Sequence, residues 1–514
     1  MNHTTHKRLA RRKRRIQRRL SPRQWKDQPR PMLAARNLQY ELADRDQAIG
    51  CGGIGMIHLL AQRVGLVDLI NLRVPLLRRH VPYFESDHVL SLAYNILAGG
   101  SCIEDMELLR NNEAYLNALG AQRIVDPTTA GDFCRRFESE SQILLLMEAI
   151  NESRLNVWRQ QEPAFFKRAI IDADGTIAPT FGECKSGMNI SYDGQWGFHP
   201  LLVSLANTKE PLYLLNRGGN RPSHERADEY LDKAITLCRR GGFQSILLRG
   251  DTDFMQTWKL DEWDQAGDIQ FIFGADARKE MVARAEALPA FAWRHLDRPA
   301  KYEVKTKERT KPQNIKEPIV REKGFKNFVL QWEDIAEFEH QPDKCASAYR
   351  MIALRKRISV EAGQDKLWDE YRYFFYITND RISTPKQIVM LANDRCDQEN
   401  LIEQLKNGVR AMRNPLDNLF SNWAYMVCCT LAWNLKAWCG LLLPITPGRH
   451  QQLHRDQKQT LVRMEFKRFA AALIHLPCQI IRSGRRIIYR LLTYNPWIST
   501  LLRLSQSMRL PLRC

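Results

Sequence analysis

Between Arg168 and Ala275 the sequence alternates strand-like runs with amphipathic helical stretches, in an order that few architectures accommodate. The runs are Arg168 to Asp174, Gly197 to Ala206 and Pro211 to Asn216, then a helical stretch Ser223 to Arg240, a strand Ser245 to Arg249, a helix Phe254 to Gln265 and a strand Ile269 to Ala275. β-Branched and aromatic residues fill the strand-like runs, and Gly, Pro, Asn and Asp punctuate them. Three strands, helix, strand, helix, strand predicts an α/β fold built on a mixed sheet. Two of these runs deliver carboxylates at their ends. The first leads into Asp174-Gly175-Thr176, and the fourth leads into Asp251 within Arg249-Gly250-Asp251-Thr252-Asp253-Phe254. Strand alternation places Asp172 and Asp174 on the same side, so pattern alone leaves them degenerate. The Gly-Thr that follows favours Asp174, with Asp172 as second choice; Asp253 similarly shadows Asp251, which sits nearer its strand.

A third carboxylate comes from farther along. Tyr373 to Thr378 is another aromatic and β-branched run, and it passes through Asn379 and Asp380 toward residues 393 to 413. There Asn393 and Asp394 suit an N-cap, and Leu401, Ile402, Leu405, Val409 and Met412 recur at helical spacing, which predicts one amphipathic helix. At about 100° per residue, Glu399 lies roughly 40° and Lys406 roughly 20° around the axis from Arg395, so the three share one face. A salt-bridged surface row would give the same pattern. Two strand-end carboxylates and one on a helix face form the hard-oxygen donor set that a pair of divalent cations requires.

On these residues the chain resembles the DDE transposases of bacterial insertion sequences. The resemblance is to the group whose third acidic residue lies in a helix patterned Tyr, two residues, Arg, three residues, Glu, six residues, Lys. Arg395, Glu399 and Lys406 match that spacing, while Ala392 stands at the Tyr position. Asp174 looks like the family's first aspartate. Asp251 is similar to its second, which commonly follows an Arg one residue away and precedes a Phe. The likeness runs from about residue 45 to about 440. It implies a ribonuclease-H-like catalytic domain, with which the strand and helix order agrees, and a strand-rich insertion between Asp251 and Glu399. It also implies two Mg²⁺ ions, or Mn²⁺, held by Asp174, Asp251 and Glu399. Arg395, Lys406 and Arg249 would contact DNA. The partners implied are double-stranded DNA, as the element's terminal inverted repeats and the target, and a second copy of the chain in a homodimer. The activity implied is cut-and-paste transposition. A catalytically inactive DNA-binding regulator and a metal-dependent nuclease of the same fold are the alternatives.

Charge divides the 514 residues further. Residues 1 to 30 hold twelve Lys or Arg against Asp27, and residues 444 to 514 hold thirteen against Asp456 and Glu465. Each end therefore carries +11 of a total of +19, and residues 31 to 443 are slightly acidic. The ends are suited to neutralising phosphates. The expected layout is a basic disordered arm at 1–32, a helical N-terminal DNA-binding domain at 33–160, catalytic segments at 165–275 and 371–443 around an insertion at 276–370, and a basic helical region at 444–514. Within 33–160, Arg135 and Arg136 follow the Pro127 turn, where a helix-turn-helix reader of DNA or a plain bundle face fits equally. Cys51-Gly52-Gly53-Ile54-Gly55 lacks the Gly-Lys-Ser/Thr of a phosphate loop and reads as a turn before a helix. His199 is either a structural histidine or a DNA contact, and Arg217-Gly218-Gly219-Asn220 is a turn that faces a phosphate or simply precedes a helix. Twelve cysteines without a Cys-x-x-Cys pair argue for a reducing compartment, read as a bacterial cytoplasm with the protein at the nucleoid. Trp423 to Leu443, interrupted by Asn434 and Lys436, predicts a buried helix and no membrane partner.

Overall fold

A computed structural model describes residues 3–20, 39, 47–182, 184–298, 326–362, 365–510 and 512. Nine strands form the main sheet: β1 (Ala169–Gly175), β2 (Leu201–Leu205), β3 (Glu210–Leu215), β4 (Ile246–Gly250), β5 (Ile269–Ala275), β6 (Arg294–His295), β7 (Asn327–His340), β8 (Tyr349–Ala362) and β9 (Asp365–Thr378). Their spatial order is β6-β7-β8-β9-β5-β4-β1-β2-β3. β1, β4 and β5 run parallel, and every other neighbouring pair is antiparallel. β2, β3 and β4 are buried along their whole length, as expected of strands covered on both faces. The first five strands have the arrangement of a ribonuclease-H-like sheet, in the chain order expected from the sequence.

Differences from expectation have local causes. The run Gly197 to Ala206 breaks at Pro200, which cannot donate to a ladder, so Trp196–Phe198 joins a separate small sheet. The helix expected from Ser223 begins at Ala227, after Arg226 in the left-handed region (φ 61°). Across the expected insertion, β9 pairs with β5 from Phe375↔Ala275 to Thr378↔Ile272, so β6 to β9 extend the main sheet. The boundary expected at residue 370 thus falls inside one strand. Its lysines Lys301, Lys305, Lys307 and Lys311 and Arg309 lie outside the described residues. On the extension, Arg355 lies over the rings of Trp293 (4.2 Å), Trp332 and Tyr371, and Arg372 over Phe328 (4.8 Å).

The disordered arm expected at 1–32 is corrected over its described part, where His3–Leu20 is a continuous helix; residues 1–2 and 21–32 lie outside the described residues. The C-terminal region is not wholly helical either. Cys478–Ser483 and Arg486–Leu491 form a hairpin, which two Ile-rich runs around Ser483-Gly484 signal in retrospect. Gly52 and Gly53 belong to a buried turn, as expected. Their amides donate to the carbonyls of Leu476 (2.9 Å) and Ile474 (3.0 Å), and a Cβ on Gly53 would lie 1.9 Å from the Leu473 oxygen.

Helices α1 (Glu85–Ala98), α2 (Glu140–Trp158) and α3 (Ala227–Gly241) share one hydrophobic core with the sheet and with a long helix, Leu419–Leu441, buried from Ser421 onward. Among the described residues no single helix is long and apolar enough to cross a membrane. In the long helix Lys436 donates to the Val462 carbonyl (2.7 Å) and covers the Trp433 ring, and burial lowers its pKa to about 7.

A buried polar cluster binds these layers together. Glu210 on β3 accepts from Arg154 (3.0 Å) and Trp158 (3.0 Å) of α2, Trp438 (2.8 Å) of the long helix, and Thr208 (2.6 Å). Both Glu210 and Arg154 have fully buried side chains. Breaking such a pair from one side leaves an uncompensated buried charge. Glu210→Ala is therefore expected to cost about 3–5 kcal/mol of stability, read as a lowered urea midpoint by circular dichroism.

Candidate active site

The site is assembled where β1 and β4 end, at the crevice outside the carboxyl ends of adjacent parallel strands. Asp172 and Arg249 are register partners across β1 and β4. Arg249 Nε and Nη2 donate to the two carboxylate oxygens of Asp172, each at 2.7 Å, and Nη1 donates to the Leu391 carbonyl at 2.7 Å. Both side chains are buried. This resolves the ambiguity in the sequence: Asp172 is committed to Arg249, and Asp174 is the carboxylate left facing the crevice. It also corrects the expectation that Arg249 contacts DNA, because its guanidinium is buried and held bidentate by Asp172, out of reach of a phosphate.

Asp251 caps a short turn directly after β4 and accepts from the Asp253 amide at 3.1 Å. The Gly-x-x-x-Phe pattern around it has a packing reason. A Cβ on Gly250 would lie 2.5 Å from Phe254, whose buried ring folds back beneath the strand end. Asp253 is exposed, so the crevice position belongs to Asp251.

The third contributor differs from the single helix expected over 393–413. Helix α4 (Pro385–Asn393) starts at a capping box of Thr384 and Gln387 and stops at Asn393. Helix α5 (Cys396–Glu403) then begins with Arg395 at its N-cap, widens into a π turn over Gln404–Gly408 and ends in a 3₁₀ turn at Ala411–Arg413. Asn393 and Asp394 therefore end one helix rather than start another. What fixes α5 is a residue the sequence reading missed. Gln398 is buried, donates to the Leu202 carbonyl (3.3 Å) and accepts from Ser204, both on β2. Leu202 is the register partner of Asp174, so this anchor sets α5 over the strand end. Its signal was a polar residue in step with Leu401, Ile402 and Leu405.

Arg395 Nη1 lies 3.3 Å from Asp174 Oδ2 and 3.9 Å from Asp251 Oδ2, between the two aspartates. Burial raises the Asp174 pKa to about 7 against the pull of Arg395, and the charges of Asp251 and Glu399 push the same way as burial. Burial raises Asp251 too, with Glu399 contributing. Lys406 is lowered by burial and feels Glu403 and Asp174. Of the three residues expected to share one face, Arg395 lies between the aspartates, Glu399 is exposed and reaches them only through its charge, and Lys406 lies within the π turn that breaks the regular spacing. Among the described residues no three His, Cys, Asp or Glu side chains converge closely enough to hold a metal ion; Arg395 lies between Asp174 and Asp251. The donor chemistry nevertheless fits a hard cation. These are carboxylate oxygens that raise one another's proton affinity and are only partly neutralised by Arg395.

His199 stands beside this cluster. Its Nδ1 donates to the Arg221 carbonyl at 2.7 Å, and its Nε2 lies 2.9 Å from where a Cβ on Gly175 would be. The turn at Arg217 to Asn220 is braced by the Arg217 side chain. It is buried and donates to the carbonyls of His199, Pro222, Ser223 and Glu225, while the Gly219 amide donates to Gly197. Arg135 is exposed but paired with Asp132 (3.0 Å) and Asp417 (3.1 Å), and Arg136 is exposed at the end of the Pro127–Arg135 helix.

The order β3-β2-β1-β4-β5, with aspartates at the ends of the central parallel strands β1 and β4 and Arg395 between them, is that of a ribonuclease-H-like domain. The chain belongs to the transposase DDE domain group 1 family, whose model matches residues 46–511, and membership makes it a transposase. Family members normally use a divalent metal. Among solved structures the chain is similar to one titled as a cryo-EM structure of the piggyBac transposase synaptic complex with hairpin DNA, at 11% identity and TM-score 0.34 over 82% of this chain and 81% of that one. A comparison with curated proteins finds no match.

The two neighbouring aspartates make opposite predictions. Asp172→Asn leaves Arg249 buried without its counter-charge and is expected to cost about 3–5 kcal/mol. Asp174 has a folded-state pKa raised from 3.8 to about 7, so the metal-free fold binds more protons than the unfolded chain and loses stability as pH rises through that window. Asp174→Asn is expected to keep or raise the thermal midpoint and to flatten that pH dependence, as read by thermal melts in chelator.

Proposed function

We propose that this transposase carries out metal-dependent cleavage and strand transfer at the ends of its own element, with Asp174, Asp251 and Glu399 as the catalytic carboxylates. The observation that carries this reading is the pair of aspartates with raised pKa flanking Arg395 at the ends of β1 and β4, both under the charge of Glu399. These three residues would hold two Mg²⁺ ions, with Mn²⁺ as a substitute. When bound, such ions lower the pKa of an attacking water or 3′-hydroxyl and stabilise the departing oxygen. The chain's own residues do the rest. Arg395, whose guanidinium is already within the crevice, presents a planar fork to a phosphate beside the scissile bond. Lys406, half-buried at the edge, adds a point charge that fixes the strand. Gln398 and the Asp172–Arg249 pair hold these groups in position. No covalent protein–DNA intermediate is required.

The substrates are the terminal inverted repeats of the element and then a target duplex, in a bacterial cell. Bringing two ends together calls for two protomers, hence a homodimer on DNA. Glu399→Gln is expected to lower cleavage of a labelled terminal duplex by about a hundredfold or more while its affinity for that duplex, measured without metal, stays within twofold. Lys406→Ala should instead weaken binding and reduce the salt dependence of affinity by about one phosphate contact. Metal-dependent nicking that survives Glu399→Gln contradicts the assignment. Strand transfer from pre-cut ends separates a transposase from a nuclease that cleaves without joining.

A further inference from the structure

The two basic ends of the chain meet. The helix His3–Leu20 carries nine Lys or Arg and no acid. Only Thr5, Leu9, Ala10 and Arg12 are half-buried, on one side of the helix, and the other eight cations are exposed. Arg12 Nη1 donates to the carbonyls of Leu491 (2.9 Å) and Thr493 (3.1 Å), at the foot of the C-terminal hairpin.

That hairpin is built to protrude. Cys478–Ser483 pairs with Arg486–Leu491 through a two-residue turn at Gly484-Arg485, with Gly484 at φ 59°, a left-handed conformation that favours glycine. The third strand, Ala48–Ile49, pairs only with Cys478 and Gln479, so beyond them the hairpin is a bare two-stranded ribbon. Its inner face is seated on the helical domain through Tyr489, which donates to the Ala118 carbonyl (2.8 Å), and through buried Ile480. Arg486, Ile488 and Arg490 are exposed on the face opposite Tyr489, Arg485 is exposed in the turn, and Arg482 and Ile487 are exposed on Tyr489's own face toward the tip.

We propose that the N-terminal helix and the C-terminal hairpin form one duplex-DNA-binding module, with the arginine tip of the ribbon in the major groove and the helix along the adjoining phosphates. A two-stranded ribbon matches the width of that groove, where Arg reads guanine and apolar side chains meet the thymine methyl. A continuous run of cations without an acid matches a polyanion. None of these residues belongs to the catalytic crevice. The inference rests on the proposed function only for the identity of the DNA.

The test is fluorescence anisotropy of the full chain on a terminal duplex and on a scrambled duplex, without metal, between 50 and 200 mM salt. Lys13→Ala, Arg14→Ala and Arg15→Ala combined are expected to flatten the plot of log affinity against log salt by about 2–3, on both duplexes alike. Arg482→Ala, Arg485→Ala and Arg486→Ala combined are expected to cut discrimination between the duplexes by about tenfold or more. Arg12→Ala, which undocks the helix, should make the helix substitutions nearly silent. Unchanged salt dependence and discrimination in variants that keep the wild-type thermal midpoint overturn the proposal. So does loss of binding to anionic phosphatidylserine vesicles with no change on DNA. A wild-type chain that binds neither duplex overturns it as well. All these variants retain Asp174, Asp251 and Glu399, so failure of the active-site reading appears separately, as cleavage that survives Glu399→Gln.

Discussion

The structure depends on one buried ion pair, Asp172 with Arg249, and on the Leu391 carbonyl that takes the third donor of the same guanidinium. Each of these residues sits just upstream of a group in the crevice: Asp172 two before Asp174, Arg249 two before Asp251, Leu391 four before Arg395. A single side chain therefore ties together β1, β4 and the end of α4, the three segments that deliver the site. Two charges removed from water are costly in isolation, but the bidentate geometry offsets much of that cost. The pair thus contributes mainly position. It holds two strand ends and a helix end in one register, and the second anchor, Gln398 on β2, sets the rotation of the helix that follows.

The crevice in front of this brace is electrostatically unfinished. Asp174 and Asp251 are each pushed toward protonation by burial and by carboxylate neighbours, and Arg395 offsets this only in part. On the function proposed above, further positive charge would relieve this cluster and free Arg395 for a phosphate. The rest of the molecule repeats the division at larger scale. Cations concentrate at the two chain ends, which the Arg12 contact brings to one surface, while the domain between them stays slightly acidic.

Much of this was legible in the sequence because it rests on local pattern. Strand alternation and helix periodicity gave the order β1 to β5 and the positions of Asp174 and Asp251 at the ends of two of those strands. Pattern could not separate Asp172 from Asp174, since both point to the same side. Only the cross-strand partner of Asp172 distinguishes them, and that partner lies on a strand 77 residues away. For the same reason Arg249 was misread: an arginine two residues before a strand-end aspartate looks like a DNA contact until its burial is known. The helix over 393–413 was misdrawn because its apolar spacing survives the break at Asn393–Arg395 and the later π turn, neither of which contains a proline. The resemblance implied a strand-rich insertion at 276–370, but that its last strand pairs with β5 depends on backbone register that composition does not report.

The central claim is that Asp174, Asp251 and Glu399 serve one cation-binding crevice braced from behind by Asp172 and Arg249. Anomalous diffraction from crystals of the full chain soaked in Mn²⁺ tests it most directly. The account predicts anomalous peaks bounded by Asp174, Asp251 and Glu399, at about 2.0–2.2 Å from carboxylate oxygens, with Arg395 turned away and the Asp172–Arg249 contacts unchanged. Mn²⁺ bound elsewhere while Arg395 stays between the aspartates, or Asp172 released from Arg249 to become a ligand, would contradict it.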